Sequence, residues 1–230
     1  MLPDLILRDW KLHRRALLPM MAIFAIFQVY FVLRVDSTTF WLVFTCVYAM
    51  GLTIMPLARE DKFGSTAWTC TLPVTRAQII GARFVEAWLL ALAWIAVSTL
   101  MAVLIPGSRI AVESLAEPAT ILLAVTIITV ILSLLLPFTI RFGILGVLIV
   151  GVAAQILGTV VLLVLVLTRG RRTAGANPID IVIGAVRDGI TFVHGALPPV
   201  AFYLLVLAAL AALHWAAYRS AIVLFDRKEL

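Results

Sequence analysis

The residues best placed to do chemistry form one polar interval: Glu60, Asp61 and Lys62, then Gly64, Trp68, Leu72, Pro73 and Arg76. Their chemistry is recognition rather than bond making. Charges of both signs flank Trp68, an arrangement suited to seating an anchor in a partner's groove while the charges set its register. Reactive sets are missing. No GxxxxGK[ST] phosphate loop, HExxH or GxSxG is present, and His13, His194 and His214 lie in three separate segments, so neither a catalytic nor a metal site is expected. Two further polar groups stand out. Glu86, three residues after Arg83, has the spacing of a helical ion pair, with a proton-coupling carboxylate as the sharper alternative. Gln155 sits inside an apolar run, where a hydrogen bond to a neighbouring helix or a substrate contact would satisfy it.

The elements that position these residues follow from composition. Of 230 residues, 63% are hydrophobic and 13% charged, against about 45–50% and about 25% in a soluble domain. That is a polytopic membrane protein. At roughly 20 apolar residues per crossing, the chain holds six spans, near 17–33, 40–58, 85–105, 119–140, 143–168 and 200–217, in one transmembrane domain covering 1–230. The formal charge of +6 is read as loop charge facing an anionic leaflet, not as a nucleic-acid surface, because no basic stripe is present. Cys46 and Cys70 make no disulfide framework.

Punctuation marks the joints. Residues 3–15 read as an amphipathic helix lying in the interface, ahead of the first span. Trp41 opens the second span, at the depth where amphipathic rings prefer to sit. Between spans two and three, Gly64 and Ser65 open a short helix through Trp68 that Pro73 stops. Thr75 and Gln78 then fit a capping box, so a new helix starts there and runs into the third span. Pro106 and Gly107 end that span. Arg141 divides two long apolar runs, and the second, with Ala154 and Gly158 four apart, can pack closely on another helix. Asn177 and Pro178 start a short helix before the last span.

The interval resembles the coupling segment of ABC-2 type permeases, the membrane subunits that dock on a separate ATPase. Glu60-Asp61-Lys62 with Gly64, then Thr71-Leu72-Pro73-Val74-Thr75-Arg76 and Ile79 to Arg83, are similar to the acidic and LPV(S/T)R pattern after the second span of small bacterial members. The resemblance implies an all-α permease with six transmembrane helices, a cytoplasmic coupling helix between spans two and three, and a re-entrant or interfacial helix before span six. It implies ATPase docking on Glu60, Asp61, Lys62, Gly64, Trp68, Leu72, Pro73 and Arg76. ATP and Mg²⁺ are expected in the partner ATPase and no cofactor in this chain. A second copy or a sibling permease is expected beside it, in the bacterial cytoplasmic membrane. The cargo it suggests is hydrophobic or amphipathic, and the direction export. A scaffold or sensor that merely anchors a cytoplasmic partner is the alternative, with a secondary transporter a weaker third reading. Loop charges place both termini inside, leaving Arg34, Arg109, Arg169, Arg171, Arg172 and Arg187 outside among 18 basic residues, as the positive-inside rule favours.

Overall fold

The structure, a computed structural model, describes residues 2–63, 74–169 and 198–226. Those residues form seven helices: α1 (Leu2–Arg34), α2 (Thr38–Phe63), α3 (Arg76–Leu104), α4 (Val112–Leu115), α5 (Pro118–Phe142), α6 (Ile144–Arg169) and α7 (Pro199–Asp226). Five of them, α1, α2, α3, α5 and α7, are long and apolar enough to cross a bilayer, and α6 is apolar along Ile144–Leu157. The short helices expected around 65–72 and 177–199 fall largely outside the described residues. The all-helical architecture is the one an apolar environment demands, since each backbone N–H and C=O must be satisfied within its own segment.

Two boundaries differ from the sequence reading. The amphipathic stretch 3–15 is continuous with the first span in α1, which runs unbroken for 33 residues, with the apolar stretch beginning at His13. Asp9 and His13 interrupt the apolar face without interrupting the backbone, and Pro19 is accommodated inside the helix. At about 50 Å, by the 1.5 Å rise per residue, α1 is longer than a hydrocarbon core of about 30 Å. The tail is likewise helical. α7 continues through Tyr218 to Asp226 instead of ending near 217.

The chain divides into two compact units, Met1–Val147 with Ala212–Leu230, and Leu148–Ala211. In the first, α2 is the central helix, packed on α1, α3 and α5, while α3 also packs on α1. Burial reflects this, with 56% of the α2 apolar stretch covered against 17% in α1. Lipid tails are as apolar as leucine, so close packing and interhelical hydrogen bonds hold such helices together. Both are present here. Phe24 of α1 stacks on Tyr48 of α2 with centroids 4.7 Å apart, and Phe31 meets Phe44 at 4.6 Å. Gln28 donates from Nε2 to the Thr45 hydroxyl at 2.7 Å, and that hydroxyl donates to the Trp41 carbonyl. Trp41 is itself 1% exposed. It is therefore a core residue under its own chain, and the interfacial ring expected from the sequence is corrected by the packing of α2 at the centre.

The α5–α6 joint shows why glycine stands at two positions. Gly143 takes a positive φ of 58° to end α5, donating its amide to the Thr139 carbonyl. Glycine reaches that region without the steric cost of a Cβ. Three residues on, a Cβ at Gly146 would run into the backbone carbonyl of Phe138. Arg141 marks a real joint, and the two apolar runs are separate helices.

In the second unit, the α6 residues from Gly151 to Leu157 are all exposed. Gln155 is among them.

Candidate functional site

Helix direction sorts the polar residues of the first unit into two ends. One end gathers the C-termini of α2, α5 and α7 and the N-terminus of α3. The other gathers the C-termini of α1 and α3, the α4 loop and the N-termini of α2 and α5.

At the first end the sequence dictates the start of α3. Thr75 has extended dihedrals and its side chain accepts from the Gln78 amide, while the Gln78 side chain accepts the Thr75 amide at 2.9 Å. This reciprocal box satisfies two donors that a helix N-terminus would leave open. The expected box is present. It fixes Arg76 as the first helical residue, and Arg76 reaches the end of α7. Its guanidinium donates to the carbonyls of Phe225 (3.4 Å) and Asp226 (3.2 Å) and to the Asp226 carboxylate (3.3 Å). Arg141, from the end of α5, donates to the Leu224 carbonyl at 3.0 Å. Two cations thus lie on the last carbonyls of α7, the helix end where positive charge is favoured by the dipole. Tyr218 adds a hydrogen bond from its hydroxyl to the Ala77 carbonyl. These contacts tie the start of α3 to the last turns of α7.

Of the predicted docking residues, Glu60, Asp61 and Lys62 lie in the last turns of α2, beyond its apolar stretch Thr38–Leu57. Arg76 opens α3. Gly64, Trp68, Leu72 and Pro73 lie outside the described residues.

At the second end the polar contacts join loops. Arg109 donates to both carboxylate oxygens of Asp36 at 3.2 and 3.3 Å, and its backbone amide donates to the Val32 carbonyl. The Ser114 hydroxyl donates to that of Thr38 at 2.9 Å. Gly107, with φ of 81°, turns the chain there.

Between the ends, Arg83 and Glu86 form the expected i,i+3 pair at 3.2 Å, and both side chains are buried. A second polar cluster was not anticipated. The Trp88 indole donates to Nε2 of His214 at 3.1 Å, and Ser133 Oγ lies 3.2 Å from Nδ1. An indole nitrogen only donates, so Nε2 is the acceptor and the neutral ring carries its proton on Nδ1, directed to Ser133. Three helices, α3, α5 and α7, meet at this histidine. A histidine inside an apolar run was the available signal, because a polar group at membrane depth requires a partner.

Five long apolar helices among the described residues define a multi-pass membrane protein. A family model for ABC-2 family transporter proteins matches residues 4–226, and the chain belongs to that family. It is accordingly the membrane subunit of an ABC transporter rather than its catalytic part. No curated protein and no solved structure matches the chain significantly.

Proposed function

We propose that this chain is the six-span permease half of an ATP-driven exporter of hydrophobic or amphipathic compounds, with α6 as the remaining span. A separate cytoplasmic ATPase, holding ATP and Mg²⁺, docks on the segment 60–76. The observation that carries the reading is the first end of the bundle. There the docking segment leads directly into a helix whose first residue grips the end of α7, so a push on the segment reaches two helices at once. Export is the direction such a cytoplasmic drive suits, in the bacterial cytoplasmic membrane with both termini inside.

The functional unit contains two permease domains, identical or sibling, and two ATPases. Gln155 supports this. An amide exposed on an apolar helix is costly against lipid, and a second permease would cover it. Trp68 serves as the anchor in the ATPase groove.

The test is Trp68→Ala, read by ATPase co-purification and by substrate-stimulated hydrolysis. Loss of about 2 kcal/mol of docking free energy, roughly 30-fold in affinity, is expected of a buried aromatic anchor. The control is Trp215→Ala, since Trp215 is 61% exposed on α7; Trp41 is unsuitable because it is buried. Wild-type docking and hydrolysis in the Trp68 variant would overturn the assignment.

A further inference from the structure

We propose that His214 is a proton-operated latch on α7: the neutral ring fastens α7 to α3 and α5, and a proton taken up from solvent at Nε2 releases α3. This goes beyond the permease reading and does not depend on where an ATPase docks. Failure of the Trp68 test leaves it standing, and the reverse also holds.

Packing holds α7 weakly. Among the described residues 11% of its apolar stretch is buried, against 56% in α2, so its polar contacts carry more of the fastening. Within the first unit, which α7 enters at Ala212, those contacts include Arg76 and Arg141 on its last carbonyls, Tyr218 on the Ala77 carbonyl, and His214. Arginine and tyrosine keep their protons throughout the physiological range. Of these four residues only histidine changes charge between about pH 5 and about pH 8.

The geometry makes the response selective. The Trp88 indole donates to Nε2 at 3.1 Å and Nδ1 faces Ser133 Oγ at 3.2 Å. A proton on Nε2 occupies the lone pair that accepts the indole N–H, leaving two donors aimed at one another. The Ser133 contact survives, because a hydroxyl accepts from Nδ1–H in either state. The same tautomer excludes His214 as a base toward Ser133, since Nδ1 already carries the proton. Surrounding charges leave the switch to this ring. On α3, Phe84 and Trp88 meet the imidazole edge to face, whereas Glu86 is two residues from each, about 200° round the helix, and pairs with Arg83. On α5, Arg141 lies on the Leu224 carbonyl. On α7 itself, Tyr218 bonds Ala77, Arg219 lies over the Trp215 ring and Asp226 meets Arg76. Among the described residues no carboxylate faces the imidazole. His214 lies about 18 Å along α7 from its end, a depth at which a charged ring is costly unless it reaches water. It is half-buried, and parting from Trp88 lets it turn outward.

The full chain, labelled with heavy nitrogen, is reconstituted in phosphatidylcholine nanodiscs, and the indole N–H resonances of its tryptophans are followed from about pH 8 to about pH 5. The Trp88 resonance is assigned by its loss in Trp88→Phe. It is expected at a downfield, hydrogen-bonded position at the alkaline end and to move upfield on acidification. His214→Gln keeps one acceptor and one donor but takes up no proton, so its Trp88 resonance is expected to stay in place. A thermal scan supplies the energetic counterpart. The unfolded chain protonates His214 below about pH 6.5 whereas the latched ring stays neutral, so stability falls as pH falls through that range. Between the two pH values wild type is expected to lose about 3 °C more in midpoint than His214→Gln, the size of one neutral hydrogen bond. Trp88→Phe is expected to begin lower at the alkaline end and to lose less than wild type on acidification. A Trp88 resonance that does not move in wild type, or that moves equally in His214→Gln, would overturn the proposal, as would the full wild-type drop in Trp88→Phe.

Discussion

The two ends of the first unit use arginine in opposite ways. At one, Arg76 and Arg141 lie on the last carbonyls of α7, joining the ends of three helices through backbone acceptors. At the other, Arg109 meets the Asp36 carboxylate, joining two connecting segments through side chains that are 51% and 74% exposed. Helix ends move as rigid pieces, whereas loops joined by an exposed ion pair can part and rejoin at little cost. In the function proposed above, that asymmetry lets the first end carry displacement and the second let the connections yield.

The largest effect expected from breaking the first end is at Gly146. Gly146→Ala places a methyl against the Phe138 carbonyl, and overpacking of this kind costs about 3 kcal/mol. A thermal scan of the purified chain should show a clear drop in midpoint, and an unchanged midpoint would mean that the α5–α6 joint is looser than described. A smaller loss is expected for Arg141→Gln. Removing a charged donor from the Leu224 carbonyl should cost about 1.5 kcal/mol, read in the same scan.

The sharpest comparison involves the least stabilising pair. Arg109→Ala removes an exposed ion pair and should change stability by only about 0.5 kcal/mol, and Arg76→Ala, which also removes two donations to α7 carbonyls, by about 1 kcal/mol. Coupling should separate them. With the ATPase bound, substrate-stimulated hydrolysis should fall several-fold in the Arg76 variant and remain near wild type in the Arg109 variant. Equal responses would show that the two ends do not differ in the way their contacts suggest.

Local grammar made part of this legible in the sequence. The Thr75–Gln78 box and the Arg83–Glu86 pair are three residues apart, and such contacts follow from helix geometry alone. The same holds for the Gly107 turn and for Arg141 as a divider. What escaped was set by contacts between distant segments. Arg76 and Asp226 are 150 positions apart, and Trp88 and His214 are 126, so no periodicity links them. Trp41 had the composition of an interfacial ring, yet packing of α2 at the centre buried it. The stretch 3–15 read as an amphipathic helix ahead of the first span, yet it holds no residue that stops a helix after Pro3, and α1 runs through it. For Gln155, an apolar run announces burial in lipid or protein without saying which, and among the described residues it is exposed.

The claim that the first end faces the cytoplasm is tested most directly by sidedness. Single cysteines at Ser65, in the docking segment, and at Ser108, in the loop of the second end, are compared in a variant lacking Cys46 and Cys70, using a membrane-impermeant maleimide on intact cells. The account predicts labelling of Ser108→Cys from outside, and of Ser65→Cys only after permeabilisation. Labelling of Ser65→Cys from outside, with Ser108→Cys protected, would place the docking segment on the wrong side of the membrane and contradict it.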